Sequence, residues 1–140
     1  MSNFNLDRFV EAQKSDYSAA LQEIRNGRKR THWIWYIFPQ IAGLGQSSIS
    51  KYYAISGLEE ARAYLEVPSL RANLLEISNA LLALKADDPG AVMGCPDDMK
   101  LKSSMTLFAE ADPECEVFKK VLDKFFHGEK DGRTIEILRN

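Results

Sequence analysis

Cations and aromatic side chains stand side by side in the segment 25–40, a combination that can hold a phosphate and stack a flat ring. Three consecutive cations at 28–30 precede a run of large apolar residues. Because each large aromatic side chain buries ~150–250 Å², the run is also suited to fill a protein core. We expect core positions for most of it. His32 and Trp33, at the border between the charged and apolar parts, are the expected exceptions.

A second segment, 43–48, has the glycine spacing of a loop that can face an anion. Gly43 and Gly45 permit backbone turns with positive φ and can present N–H groups to a phosphate. The segment lacks the Gly-Lys-[Ser/Thr] of a Walker A loop and the third glycine of a dinucleotide-binding fingerprint. An ordinary surface loop is therefore the alternative interpretation.

The third segment, 95–108, places hydroxyl, acidic and lysine side chains on one predicted helix. Residues three or four apart share a helix face, so Asp97, Lys100 and Ser104 are predicted neighbours. Small hydroxyl residues on an inward face either permit close helix packing or hydrogen-bond a ligand. Acidic residues at a helix start also complement the helix macrodipole, which is a purely structural reason for Asp97 and Asp98.

Helices must position these segments, because the apolar residues recur mainly with a helical period. The strongest stripe covers 70–84, and we expect that helix to be the centre of the fold. Further helices are predicted over 6–24, after a capping box at 56–59, over 97–108, and after an Asp-Pro cap at 112–113.

Two short segments, 33–38 and 134–137, look like strands, but a lone hairpin would be only marginally stable. We therefore predict an all-α fold, a single multihelical domain of about six helices that spans residues 1–140.

Composition sets limits on the class of protein. The chain has 140 residues, of which 45% are hydrophobic and 27% charged, which excludes a disordered or collagen-like protein. The net charge of −2 counts against nucleic-acid binding, and no apolar stretch is long enough to span a membrane. Cys95 and Cys115 cannot form a disulfide framework or, with two distant histidines, a zinc site. The N-terminus lacks a secretory signal. We expect a cytoplasmic protein without metal or cofactor.

The segments together resemble a known bacterial family. The residues that carry the resemblance include HWIWYIFPQ at 32–40, GLGQS at 43–47 and KLKSSMTLF at 100–108. They are similar to the signature of domain-of-unknown-function family 1810, whose members are sometimes labelled calpastatin. The resemblance covers nearly the whole chain and implies an all-helical single domain with no known activity. The calpastatin label does not fit, because that inhibitor is disordered and repetitive.

The polar residues in these apolar segments need partners, either one another or a ligand. The first hypothesis is that the chain binds a small anionic ligand such as a nucleotide or a phosphorylated metabolite. Catalysis, if there is any, would use His32, Asp97 or Asp98 as general acid or base. The candidate ligand-binding residues are Trp33, Trp35, Gln40, Gly43, Gly45, Ser47, Lys100, Ser103, Ser104 and Thr106.

The alternative hypothesis is a non-catalytic protein-protein interaction module, since Trp, Tyr and Arg are enriched at interface hot spots. We also predict that the loop 43–48 packs near the helix 97–106, with His32 and Trp33 beside them. Their meeting would create either a polar pocket or a closed network of hydrogen bonds.

Overall fold

The computed structural model describes residues 4–140, so the first three residues of the predicted domain lie outside it. The prediction of an all-α fold is confirmed, and six of the nine helices within 4–140 are longer than seven residues. None of the described helices is both long and apolar enough to cross a membrane. The helices are α1 (Asp7–Arg25), α2 (Ile34–Ile37), α3 (Ser48–Tyr52), α4 (Leu58–Glu66), α5 (Pro68–Ala83), α6 (Pro89–Met93), α7 (Asp97–Ala111), α8 (Glu116–Phe126) and α9 (Gly132–Arg139).

The centre of the fold is α7, not α5 as the leucine stripe predicts. Helix α7 packs against α2, α4, α6, α8 and α9, and nine of its fifteen residues are buried. Helix α5 packs against α1, α4 and α8 and buries its stripe, including Leu74 and Leu81. A helix that packs against neighbours on several sides has no single apolar stripe. Several of the buried residues of α7 are Ser, Thr or Ala, which are small enough for neighbouring helices to pack against. Because these residues are not strongly hydrophobic, the hydrophobic pattern of the sequence does not indicate that α7 is central.

Two helix starts differ from the predicted caps. Helix α4 begins after Gly57, and the Ser56 backbone N–H donates to Glu60 Oε1 at 2.8 Å, so Glu60 replaces the predicted partner Glu59. Asp112 ends α7 instead of capping α8, whose N-cap is Cys115. At α4 a second acidic residue accepts the backbone N–H, and before α8 the Cys115 N–H donates to the Asp112 carbonyl at 3.1 Å. The local sequence pattern does not distinguish these arrangements from the predicted caps.

The strand-like segments are helical. Segment 33–38 forms the single turn α2, and 134–137 lies within α9. The extended pairing found within the described residues is one parallel bridge between Ile41 and Ile55. The Ala42 N–H donates to the Ile55 carbonyl, and the Ile55 N–H donates to the Gln40 carbonyl, both at 2.8 Å. This bridge joins two loop segments that line the site described next.

Candidate functional site

Two adjoining cavities form a cleft between the segment 40–45 and the helices α3, α7 and α9. The first cavity, of about 110 Å³, lies against α3; its walls include Trp35, Ile41, Ala42, Lys51, Tyr53 and Ala54. The second, of about 210 Å³, lies against α7 and the start of α9; its walls include Leu44, Met99, Lys100, Ser103, Asp131 and Arg133. Gln40 and Gly45 line both cavities, so we treat the pair as one cleft.

The predicted packing of the loop 43–48 near the helix 97–106 is confirmed in the second cavity. Leu44 and Gly45 of the loop share that cavity with Lys100 and Ser103 of α7. His32, in contrast, is exposed, and within residues 4–140 its side chain forms no hydrogen bond or ion pair with the loop or with α7.

The loop needs its two glycines for steric reasons. Gly43 has a φ of +104°, a conformation that side chains with a Cβ rarely adopt. A Cβ on Gly45 would lie 2.4 Å from the Cβ of Ser50, so only glycine allows the loop to pass α3 this closely. Ser47 is the N-cap of α3 and accepts the Ser50 N–H at 3.2 Å. Gly43 and Gly45 therefore shape the cleft wall, whereas Ser47 caps α3 and lines neither cavity. Across the described chain, the backbone N–H groups of Gly45 and Gln46 have no protein acceptor.

An arginine of α1 anchors the α3 side of the cleft. Arg8 donates from Nε to the Tyr52 carbonyl at 2.8 Å and from Nη2 to the Ala54 carbonyl at 2.9 Å. Its Nη2 also lies 3.0 Å from Glu60 Oε2, and both side chains are almost fully buried. The pair holds the connection between α3 and α4 in place. Sequence reasoning missed Arg8, because nothing in the local pattern of α1 reveals a partner so far away in the chain.

The aromatic and cationic residues of the cleft meet at Trp35 and Lys100. The ammonium of Lys100 lies 5.5 Å from the centre of the Trp35 ring, within cation–π range. The same ammonium lies 3.7 Å from Asp97 Oδ1, which is longer than a hydrogen bond. Asp97 is already paired with Lys29, whose Nζ is 2.8 Å from Asp97 Oδ2 and whose side chain is 5% exposed. Lys100 therefore forms the weaker of the two ion pairs with Asp97, and its ammonium remains available to a ligand.

Most hydroxyl groups of α7 belong to a structural network around Asp131. Asp131 Oδ2 accepts hydrogen bonds from Ser103 Oγ at 3.0 Å and from the Thr134 N–H at 3.1 Å. Thr106 Oγ1 accepts the Asp131 N–H at 2.9 Å and donates to the Lys102 carbonyl at 2.8 Å. The network ties the start of α9 to α7. Ser103 also lines the second cavity, whereas Thr106 is fully buried.

Ser104 stands apart from this network. Its side chain is fully buried, and within the described chain its Oγ has no hydrogen-bond partner. Ser104 is absent from the walls of both cavities, so nothing places it near a ligand.

Trp33 is a core residue, contrary to the expectation that it stands outside the core. Its side chain is 1% exposed, its Nε1 donates to Glu23 Oε1 at 2.9 Å, and Lys29 Nζ lies 4.8 Å from its ring centre. Trp35, two residues later in the same run, is only partly buried and lines the first cavity. A ring can therefore stack on Trp35 but not on Trp33.

Glu23 organises the turn that precedes Trp33. Its carboxylate accepts the backbone N–H groups of Arg30 at 2.7 Å and Thr31 at 3.0 Å, and the Thr31 hydroxyl at 2.6 Å. Partial burial acts to raise the pKa of Glu23, but the hydrogen bonds from Thr31, Arg30 and Trp33 outweigh it and lower the pKa to about 2.

None of the three acid–base candidates lines the cleft. His32 is exposed, Asp97 is paired with Lys29, and Asp98 Oδ1 accepts the N–H of Met99 at 2.9 Å. Among 4–140, no group of three or more His, Cys, Asp or Glu residues is arranged to hold a metal.

The residues of the cleft that sequence reasoning missed are Lys51, Tyr53, Asp131 and Arg133. Asp131 carries a signal that could have been used, since it is the N-cap of α9 and accepts the Thr134 N–H. Arg133 and Lys51 carry no local signal, because only the folding of α3 and α9 towards α7 brings them to the cleft.

A larger depression of about 400 Å³ lies elsewhere, between α1 and α5. Its charged residues, Arg25 and Glu76, are already paired at 3.9 Å, and its remaining walls carry no aromatic ring. The cleft is thus the better candidate for a binding site in spite of its smaller volume.

Comparison with known proteins identifies one family. The family described as "Protein of unknown function (DUF1810)" matches residues 3–138. The chain is similar to the conserved hypothetical protein Rv1873 from Mycobacterium tuberculosis, known from a crystal structure, with 42% sequence identity, a TM-score of 0.96 and coverage of 99% of both chains. No curated protein matches the chain.

Proposed function

Because the chain belongs to the DUF1810 family, whose description names no activity, we propose from the cleft itself that the protein binds a small anionic ligand there. The observation that carries the proposal is the position of Lys100, beside the Trp35 ring and only loosely paired with Asp97. This arrangement offers a cation and a flat apolar surface to one ligand.

The charged side chains around the cleft support the binding of an anion. Lys51, Lys100 and Arg133 line it, against one carboxylate, Asp131. Ser103 and the Thr134 N–H already donate to that carboxylate, which disperses its negative charge. Within residues 4–140, neither Lys51 nor Arg133 forms an ion pair with the protein. The cleft therefore has an excess of positive charge, although the chain as a whole has a net charge of −2.

The proposal is tested by thermal unfolding in the presence of inorganic phosphate, pyrophosphate and a panel of phosphorylated metabolites. A compound present at 100 times its dissociation constant is expected to stabilise the protein by about 2.7 kcal/mol. Lys100→Met should remove this stabilisation. The matched control is Lys102→Met, which removes a lysine from the same helix that instead pairs with Glu129 at 2.8 Å. Equal responses of the two variants, or no response of the wild type to any anion, would contradict the proposal.

The second candidate function is the interaction module. The observation that favours it is that the large apolar side chains most exposed in the described chain, Ile49, Tyr52 and Met99, lie on α3 and α7, the helices that flank the cleft. A partner protein would cover them. Substituting Ile49 and Tyr52, neither of which lines the cleft, by serine should then abolish the association and leave stabilisation by anions unchanged.

We also propose that the protein is cytoplasmic. Cys95 and Cys115 are both free, which supports a reducing compartment.

A further inference from the structure

We infer that the ligand is a nucleotide, with its base in the first cavity, beside Trp35, and its phosphate in the second, beside Lys100 and Arg133. The inference rests on the proposed function, because it assumes that the cleft binds an anion. It goes further by assigning a different chemical group to each of the two cavities.

The first cavity suits a flat ring. Aromatic side chains, Trp35 and Tyr53, contribute to its walls, and Ile41, Ala42 and Ala54 supply the apolar remainder. Base–aromatic stacking is tolerant of base identity, because every base has a π-face. A sugar phosphate without a base would leave these apolar walls in contact with water.

The residue that joins the cavities suits the edge of a base. Gln40 has both an amide donor and a carbonyl acceptor in its side chain. Its backbone carbonyl is occupied by the Ile55 N–H, whereas its side chain has no partner in the described chain. An amide of this kind, half-buried and on the wall of the same cavity as Trp35 and Tyr53, can pair with the donor and acceptor groups of a base edge.

The second cavity suits a phosphate. Lys100 supplies a point charge, and Arg133 supplies a guanidinium that can bind two phosphate oxygens at once. The Gly45 N–H, which has no acceptor in the described chain, adds a backbone donor at the boundary between the cavities. The base and the phosphate of one molecule therefore meet complementary groups on opposite sides of Gln40 and Gly45.

Calorimetric titration with ADP, adenosine, ribose 5-phosphate and pyrophosphate tests the inference, and GDP, CDP and UDP extend it to other bases. At least one of the four nucleotides should bind about tenfold or more tightly than ribose 5-phosphate or pyrophosphate, because stacking adds to the phosphate contacts. If the phosphates without a base bind equally well, the nucleotide assignment is wrong while the anion site stands. If no anion binds, both proposals fail.

Two variants at Trp35 isolate the role of the ring. Trp35→Phe keeps a flat surface and should keep the preference for a nucleotide over ribose 5-phosphate, whereas Trp35→Leu should lose it. Lys100→Met should instead weaken nucleotide and ribose 5-phosphate by the same factor. Nucleotide binding should also quench tryptophan fluorescence in the wild type but not in Trp35→Phe, because the remaining Trp33 is buried and lines neither cavity. Quenching that persists in Trp35→Phe would overturn the placement of the base.

Discussion

Replacing the Glu23 carboxylate should destabilise the protein in a pH-dependent way. The carboxylate accepts hydrogen bonds from the backbone of Arg30, from the backbone and hydroxyl of Thr31, and from the Trp33 indole. Glu23→Gln keeps the size of the side chain but removes its charge and turns an amide NH₂ group towards these donors. The turn before α2 would lose the acceptor that orders it.

The magnitude follows from the lowered pKa. A fall of the pKa from its ordinary value of 4.5 to about 2 corresponds to roughly 3 kcal/mol of stability before solvent screening is considered, since one pKa unit is worth about 1.36 kcal/mol. Glu23 is only partly buried, so solvent screening reduces this figure. We expect Glu23→Gln to lower the free energy of unfolding at pH 7 by ~1–2 kcal/mol.

The sign of the pH dependence is set by the direction of the shift. A carboxyl group with a depressed pKa in the folded state stabilises the protein above its unfolded-state pKa of 4.5, and the effect disappears as the pH falls towards about 2. The difference between wild type and Glu23→Gln should therefore be full at pH 7 and less than half as large at pH 3.

Urea unfolding at pH 7, 5, 4 and 3 measures this difference, and the subtraction removes the contribution of the other carboxyl groups. The matched control is Glu136→Gln, because Glu136 is exposed and has no hydrogen bond or ion pair in the described chain. A loss equal to that of the control at pH 7, or a difference that does not change with pH, would refute the reasoning.

Three further substitutions test the core, the loop and the unpaired hydroxyl. Leu74→Ala should cost roughly 2–5 kcal/mol of stability in chemical unfolding, because the side chain is 1% exposed and its loss leaves a cavity; a loss below about 0.5 kcal/mol would contradict its burial. Gly45→Ala should lower the melting temperature through its clash with Ser50, whereas Gly57→Ala, which meets nothing within 4 Å, serves as the tolerated control. Ser104→Ala should be neutral or stabilising by up to about 1 kcal/mol, since the hydroxyl it removes has no partner within the described residues, and a clear loss in urea unfolding would reveal an interaction that the structure does not show.

The positions of most long helices could be predicted from local patterns. The helical stripe of α5 and the start of α7 at Asp97 both depend on residues within one or two turns of each other. The predicted capping box at 56–59 was wrong because two acidic residues, Glu59 and Glu60, follow Ser56. Only the packing of α4 decides which of them accepts the Ser56 N–H.

The candidate site was predictable as a set of segments but not as a set of side chains. Sequence reasoning identified the loop 43–48 and the helix 97–106, because polar residues among apolar ones need partners. It could not separate Trp33 from Trp35, which are only two residues apart but lie in the core and at the cleft respectively. It also missed Arg133, which α9 contributes from the far end of the chain.

By itself, then, the sequence determined the all-α class and the location of the polar segments, since helix period, caps and glycine turns are local properties. Only the tertiary structure decided that α7 is the central helix and that Lys100 lies beside Trp35. The physical reason is that burial and charge pairing depend on neighbours distant in the chain. Lys29 satisfies Asp97 and thereby leaves Lys100 beside Trp35, an outcome that no local spacing contains.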